Sequence, residues 1–205
     1  RSLYEKCVDL FNERVPDLLD FVDDDAVVVV FGDHGEEFEH GHYDHERLYD
    51  ECVKVPLYHK NINPSDSEDG PTRQIDIALR ILDSIGVKAP DKLDGQTTEP
   101  ISERPALMLT PEPGPGLIHA GIRSDSKKLI RSFDQETGEL QRTEFYDLSE
   151  DPDETRNLAD KEQYGSLGDR LNEFVERYDS ALDMDASTGV DSVVVESQLE
   201  DLGCK

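Results

Sequence analysis

Histidines and acidic side chains are concentrated directly after a run of valines at 27–30. Asp33 and His34 come first, and Gly35 would let the chain turn sharply and approach a bound ion. Four of the six histidines fall within twelve residues: His34, His40, His42 and His45. Carboxylate oxygens and imidazole nitrogens bind divalent metals, and a protonated imidazole can donate to an anion. This density is not typical of the alternative, a solvated acidic loop, so the segment predicts a metal and anion site.

The elements that would position these residues form an α/β pattern. Apolar residues at helical spacing over 3–22 predict a helix, which Pro16 should kink or split. The β-branched run 26–32 predicts a strand with both faces buried, as in a parallel sheet covered by helices. In open α/β sheets ligands bind beyond the carboxyl ends of the strands, where residues 33–51 would form a loop.

Two further elements complete the α/β part of the chain. Residues 53–58 predict a second strand, and the segment from Thr72 as N-cap to Gly86 at the C-cap predicts a helix.

The second half of the chain has a different pattern. Short strands separated by turns then predict an antiparallel meander over 106–110, 117–123, 128–133 and 140–148. An amphipathic helix over 164–182 and an acidic, mobile tail from 183 onward are expected last.

The charge of the chain excludes some partners. Its 205 residues include 48 Asp and Glu against 21 Lys and Arg, a formal net charge of −27. This charge repels nucleic acids and anionic membranes, and no apolar run reaches the length of about eighteen residues that predicts a membrane span. The acidic residues extend from Asp9 to Asp201, which favours a surface adapted to high salt and a halophilic source. Three cysteines in unrelated contexts predict neither a disulfide framework nor a CxxC metal pair: Cys7, Cys52 and Cys204.

Several segments resemble type I sulfatases, which belong to the alkaline-phosphatase-like superfamily. The main one is VVVVFGDHGEEFEHG at 27–41. Further landmarks follow in the family's order: 48–51 and 55–57; 74–86 with 93–95, similar to "DIxPTLLDLAGI…xGxSL"; 128–131, similar to "YKLI"; 146–158, similar to "LYDLxxDPxExxNL"; and 199–203. The landmarks cover nearly the whole chain and resemble the C-terminal half of such an enzyme.

This resemblance implies a metal site and a sulfate contact. In such enzymes an Asp and the next Asn or His bind a divalent cation, usually Ca²⁺, and Asp33 and His34 occupy these positions. Because Ca²⁺ prefers oxygen ligands, the imidazole of His34 leaves Mn²⁺ and Zn²⁺ open as alternatives. A Lys or His further along the loop contacts the sulfate or acts as an acid. His45 matches that position best. Because this loop is one residue shorter than the common "GEHG" form, the choice between His45 and His42 stays open, and His40 is a weaker candidate.

The resemblance also implies parts that these residues lack. Members carry a C/S-x-P-S-R segment near their N-terminus, and its Cys or Ser becomes formylglycine, the nucleophile. No cysteine here has that context. We therefore expect the C-terminal portion of a longer sulfatase, a sulfuric ester hydrolase, which is inactive alone. The expected partners are a sulfate-ester substrate of the sulfated carbohydrate class and the missing N-terminal half; nucleic acid and a membrane span are not expected.

The expected fold class is α/β, the C-terminal part of an alkaline-phosphatase-like α/β sandwich with a small antiparallel β-sheet subdomain and a C-terminal helix. The expected boundaries are 1–103 for the sandwich, 104–182 for the small sheet with its packing helix, and 183–205 for the acidic tail. A soluble protein, cytoplasmic or secreted, is expected.

Two other functions fit parts of the pattern. One is a phosphomonoesterase or phosphodiesterase of the same superfamily, in which His119 would complete a two-metal site, although the segment around His119 matches the sulfatase sheet better. The other is a non-catalytic, acidic metal-binding fragment. His59 and His119 are isolated from the histidine-rich loop, and both are interpreted as structural or surface residues.

Overall fold

The computed structural model of the chain describes residues 2–41, 45–63, 72–90, 93, 95–96, 104–112, 116–160 and 164–188. They belong to two compact units, residues 1–163 and 164–205. The second unit contains one helix, α4 (Gly165–Thr188), which continues six residues past the predicted end at 182. The remainder of the predicted tail lies outside the described residues. None of the helices that the structure describes combines the length and apolar character that crossing a membrane would need.

The first helix, α1 (Ser2–Leu19), is continuous, and the prediction that Pro16 splits it is wrong. Proline removes one backbone donor, which here affects only the last turn of the helix. The carbonyl of Pro16 still accepts the N–H of Asp20 at 3.0 Å. Most side chains of α1 are exposed.

The strand before the predicted site, β1 (Val28–Phe31), pairs antiparallel with β2 (Leu57–Lys60). The predicted parallel pairing with two buried faces is therefore wrong for these strands. The β1 side chains are half-buried, and Phe31 is 45% exposed. Among the described residues, this sheet consists of β1 and β2 alone. The predicted strand at 53–58 begins only at Leu57, since residues Asp50–Val53 form a short helix, α2.

Helix α3 (Gln74–Ser84) lies within the predicted segment but is one residue shorter at each end, and its N-cap is Arg73 rather than Thr72. The hydroxyl of Thr72 accepts a hydrogen bond from Arg80 at 3.3 Å instead of capping the helix. At the other end Gly86 has a φ of 69°, and the N–H of Val87 donates to the carbonyl of Leu82 at 2.9 Å. This geometry is a Schellman motif, and the predicted glycine C-cap is confirmed.

The second sheet is an antiparallel meander, as predicted. Its strands are β3 (Ala106–Pro111), β4 (Leu117–Arg123), β5 (Lys127–Asp134) and β6 (Leu140–Asp147), and they pair in that order. The buried core lies between this sheet and the segment before α2: Leu48, Tyr49, Ile130, Tyr146 and Leu148. Gly121 permits that contact, since a Cβ there would come within 2.8 Å of Leu48. The sheet thereby fixes the end of the histidine-rich loop.

Candidate active site

Asp33 and His34 lie just beyond the carboxyl end of β1. The N–H of Gly32 donates to the carbonyl of Pro56 at 3.2 Å, which holds the end of the strand. From α3, the side-chain amide of Gln74 donates to the carbonyls of Gly32 and Asp33, both at 2.9 Å. The peptide that carries Asp33 is thus held from two sides, while its carboxylate is 89% exposed.

The two side chains present one oxygen and one nitrogen to the same exposed space. The N–H of His34 donates to Asp33 Oδ1 at 2.9 Å, and this bond is the largest cause that lowers the pKa of Asp33. Nδ1 of His34 lies 2.8 Å from the carbonyl of Gly35. Because a carbonyl only accepts, we assign the proton to Nδ1, which leaves the lone pair on Nε2. Nε2 is 3.7 Å from Asp33 Oδ2.

Gly35 is required by backbone packing. Its N–H donates to the carbonyl of Cys52 at 2.7 Å, and the N–H of Glu36 donates to the carbonyl of Glu51 at 3.0 Å. A Cβ at position 35 would lie 1.9 Å from that Glu51 oxygen. The structure therefore gives a physical reason for this glycine that differs from the predicted approach to an ion.

His45, further along the histidine-rich loop, lies next to His34. The imidazole of His45 stacks on that of His34, with ring centroids 3.8 Å apart and an interplanar angle of 20°. Asp33, His34 and His45 therefore form one cluster. His42, a weaker candidate in the same loop, lies outside the described residues.

His40 has a different environment. Its Nδ1 lies 2.5 Å from a carboxylate oxygen of Glu51, and its Nε2 lies 3.3 Å from the carbonyl of Glu154. The ring also stacks on Tyr49 at 3.8 Å. Both polar partners are acceptors, so the imidazolium, with a proton on each nitrogen, satisfies both contacts. These contacts favour a structural role for His40.

Glu51 and Arg47 hold the loop backbone around His40. The carboxylate of Glu51 accepts the N–H groups of Phe38 and Glu39 at 2.8 and 3.1 Å. Burial would raise the pKa of Glu51, but the bonds from His40 and these two N–H groups lower it below its usual value. Arg47 makes two hydrogen bonds to the buried carboxylate of Glu37 and a third, of 2.9 Å, to the carbonyl of His40. The loop is therefore built around fixed charges.

A buried ion cluster lies below this loop. The ammonium of Lys128 is fully buried, 2.5 Å from Asp50, 2.7 Å from Glu154 and 2.9 Å from the carbonyl of Leu48. Arg123 makes two further hydrogen bonds to Asp50, at 2.9 and 2.8 Å. Burial would raise the pKa of Asp50, but the Arg123 bonds and the Lys128 charge lower it to about 2.

Sequence reasoning gave no role to the residues of this cluster. Asp50, Lys128 and Glu154 belong to segments that were identified only as family landmarks. No local pattern singled out Lys128, because its strand, KKLIRSFD, also contains Lys127, Arg131 and Asp134.

His119, His59, Cys7 and Cys52 are not members of the cluster formed by Asp33, His34 and His45, and Cys204 lies outside the described residues. His119 is 4% exposed, and its nitrogens contact Ser132 at 2.8 Å and Glu112 at 3.1 Å. His59 lies on β2 and is exposed. Cys7 is exposed on α1, and Cys52 is buried, which raises its pKa to about 11 and keeps it as a thiol.

Asp33 and His34 alone do not make a complete metal site. Within the described ranges no group of three or more His, Cys, Asp or Glu is arranged to hold a metal ion. Asp33 and His34 nevertheless fit as two ligands of one ion. Metal–ligand distances of about 2.0 to 2.6 Å allow one cation to contact both Oδ2 and Nε2. The donor set suits a divalent cation that takes its remaining ligands from elsewhere.

Known proteins resemble this chain over much of its length. Residues 38–107, 70 of the 205, match a family model described as N-sulphoglucosamine sulphohydrolase, C-terminal. An N-acetylglucosamine-6-O-sulfatase of Bacteroides thetaiotaomicron is 26% identical over 187 residues, which cover 80% of this chain and 33% of that enzyme. The chain thus spans about a third of the length of this curated relative.

Solved structures show the same fold. A protein in complex with its substrate D-glucosamine-2-N,6-O-disulfate superposes with a TM-score of 0.65 at 25% identity, covering 84% of this chain and 39% of that one. A 2-O GAG sulfatase superposes with a TM-score of 0.55 at 19% identity, covering 79% and 38%, and supports the fold alone. The fold is therefore the alkaline-phosphatase-like α/β fold of sulfatases, as predicted, and the chain is similar to the C-terminal portion of these sulfuric ester hydrolases.

Proposed function

We propose that this chain is the C-terminal portion of a divalent-metal-dependent sulfatase that hydrolyses sulfate esters of a carbohydrate. The observation that carries the proposal is the meeting of Asp33, His34 and His45 at the end of β1. The similar proteins support the same reaction, since one is a sulfatase of N-acetylglucosamine and another is solved with a disulfated glucosamine. The substrate class that follows is a sulfated amino sugar.

Each residue of the cluster has a distinct role in this proposal. Asp33 Oδ2 and His34 Nε2 would hold the cation, with Ca²⁺ expected and Mn²⁺ or Zn²⁺ as alternatives. Such a cation, when bound, neutralises negative charge on the sulfuryl oxygens. His45, oriented by its stack on His34, would donate a hydrogen bond to a sulfuryl oxygen or a proton to the leaving oxygen. The formylglycine nucleophile would come from the rest of the enzyme.

Exposed apolar side chains support a missing partner half. They cluster on and just after α1, in a chain of net charge −27: Leu3, Tyr4, Val8, Leu10, Phe11, Leu18 and Phe21. The most exposed are Phe21 at 88% and Leu3 at 74%. Large contiguous apolar surfaces indicate an interaction site. We infer that the N-terminal half of the same enzyme covers them.

The proposal is tested in the complete enzyme with Asp33→Ala and His45→Gln. Asp33→Ala should abolish turnover of a sulfated glucosamine and lower the metal content measured by elemental analysis. His45→Gln should lower turnover and leave the metal content unchanged. Asp160→Ala, at an exposed carboxylate outside the site, is the control. Unchanged metal stoichiometry in Asp33→Ala would contradict the assignment, and turnover by residues 1–205 alone would contradict an external nucleophile.

The phosphatase alternative is less well supported by the geometry. It would need His119 as a metal ligand, but that imidazole is buried between β4 and β5 with partners on both nitrogens. Preferred hydrolysis of phosphate esters with two metals bound would nevertheless favour it over the sulfatase.

A further inference from the structure

A short segment after β6, residues 151–158, attaches to the edge of the sheet; we call it the clip. The N–H of Phe145 donates to Oδ1 of Asn157 at 3.0 Å, and the N–H of Leu158 donates to the carbonyl of Phe145 at 2.8 Å. Nδ2 of Asn157 also donates to the carbonyl of Thr143 at 3.1 Å. Through these bonds the clip pairs with the edge strand β6, which fixes the C-terminal end of the clip.

The inner end of the clip is Glu154. Asp151 shapes the turn before it, because its carboxylate accepts bonds from the hydroxyl of Thr155 at 2.9 Å and the N–H of Arg156 at 2.7 Å. Glu154 has a φ of 52°, a left-handed conformation that non-glycine residues adopt only when their surroundings require it. The residue is 2% exposed. Its backbone conformation and its burial both need an explanation.

Both polar groups of Glu154 contact the histidine-rich loop. Its carboxylate accepts the N–H of Asp50 at 2.5 Å and lies 2.7 Å from Lys128 Nζ. Its carbonyl lies 3.3 Å from Nε2 of His40. His40 and Asp50 stand on either side of His45 in the sequence. Glu154 therefore holds both ends of the segment that carries His45.

We propose that Glu154 is a positioning residue, which fixes the segment from His40 to Asp50 so that His45 stacks on His34. The role of His45 toward sulfate rests on the function proposed above; the positioning itself does not. A purely structural carboxylate offers a comparison in the same sheet. Glu112 contacts the buried His119 at 3.1 Å and accepts the N–H of Leu117 at 3.1 Å, and both of these residues lie on β4.

The positioning is tested in this chain by hydrogen exchange and NMR. Glu154→Gln should raise the hydrogen-exchange rates of the Phe38 and Glu39 amides by about tenfold or more. Both amides donate to the carboxylate of Glu51, which also contacts His40. The variant should also weaken the nuclear Overhauser effect between the rings of His34 and His45, and change the exchange of the β4 and β5 amides by less than that of the loop amides, since Lys128 keeps Asp50 as a partner. The matched control, Glu112→Gln, should leave the loop amides and the ring contact unchanged.

A second variant keeps the test decisive if Glu154→Gln fails to fold. His40→Gln removes the contact to the Glu154 carbonyl from a partly exposed side chain and should give the same loop signature. Loop exchange that is unchanged in every folded variant, or that rises equally in β4 and β5, would overturn the proposal.

Activity separates this proposal from the sulfatase assignment. In the complete enzyme, Glu154→Gln should lower kcat about tenfold while KM and metal content stay near wild type, since the substrate and metal contacts are not removed. An equal change in Glu112→Gln would contradict positioning. If the wild-type enzyme hydrolyses no sulfate ester, the proposed function fails, and the exchange data still decide whether Glu154 holds the loop.

Discussion

The four-stranded sheet and the end of β1 use charged residues in opposite ways. In the sheet, Lys128 is fully buried and has two carboxylate partners, Asp50 and Glu154. At the end of β1, the side chains of Asp33 and His34 are 89% and 45% exposed. Buried charges persist only when they are paired, whereas exposed ligands remain available. In the sheet this buried charge is therefore paired, whereas the side chains of Asp33 and His34 stay accessible to solvent.

Apolar residues show the same contrast. Ile122 and Leu129 in the sheet are fully buried, whereas Leu18 at the end of α1 is 65% exposed. A helix that leaves such side chains in water does not stabilise its own fold by burying them. Among the described residues, the most exposed large apolar side chains thus lie before the sheet, and the following predictions measure the difference between the two regions.

Breaking the buried ion cluster should have the largest effect on stability. Lys128→Met leaves Asp50 and Glu154 next to each other without the ammonium group, with only Arg123 to compensate. Removing one partner of a buried pair costs about 3 to 5 kcal/mol in the free energy of unfolding. Urea denaturation of the chain measures this loss.

The adjacent lysine is the control for that variant. Lys127 pairs with Asp147 at 2.5 Å, but its side chain is 33% exposed. Partly exposed ion pairs contribute about 0 to 1 kcal/mol to the free energy of unfolding, so Lys127→Met should change the midpoint of urea denaturation little. Similar losses in the two variants would show that the sheet does not depend on the buried cluster.

A smaller and more local effect is expected at the site. Gly35→Ala places a Cβ 1.9 Å from the carbonyl of Glu51, so the backbone around Asp33 must move, at up to about 3 kcal/mol. The ring contact between His34 and His45 should be lost in NMR spectra. Gly138→Ala, in a hairpin of the sheet where no atom lies within 4 Å of the added Cβ, should retain it. A retained ring contact in Gly35→Ala would show that the loop does not need this close approach.

Lowering the pH should weaken the buried ion cluster by protonating Asp50, with an intermediate effect on the free energy of unfolding. Its pKa is lowered from 3.8 to about 2 in the folded protein, so the folded state binds this proton less tightly than the unfolded state. The stabilisation is present above about pH 4 and is lost as the pH falls toward 2, up to about 2 kcal/mol. Burial raises the pKa of Glu154, which opposes this slope. Denaturation as a function of pH should show a shallower acid slope for Asp50→Asn than for the wild type, and equal slopes would refute the assignment.

The sequence predicted elements whose contacts are local and missed those that depend on distant partners. The four strands of the meander follow from alternation and turn residues. The pairing of β1 does not, because its partner β2 lies beyond the loop. Val53 has strand propensity but ends a helical turn, since its N–H donates to the carbonyl of the buried Tyr49 at 3.0 Å.

The candidate site divides in the same way. Asp33, His34 and His45 were predicted because their residue types and spacing resemble a family pattern. The positions of Lys128 and Glu154 were not predictable, because their contacts are distant in the sequence. Lys128 contacts Leu48, which is 80 positions away, and Glu154 contacts Asp50, which is 104 positions away. Tertiary packing, and not any local pattern, decides which charged residues of a landmark segment become buried.

The smallest effect is expected on α1, and it should depend on what covers the helix. Leu10 is 54% exposed, so Leu10→Gln should change the stability of this chain by less than about 0.5 kcal/mol. Leu129→Ala, at a fully buried position of the sheet, should cost about 2 to 5 kcal/mol. In the complete enzyme, where we infer that the N-terminal half packs on α1, Leu10→Gln should lower the thermal midpoint clearly. If the variant is as neutral there as in the chain alone, this face of α1 is not the surface that the missing half covers.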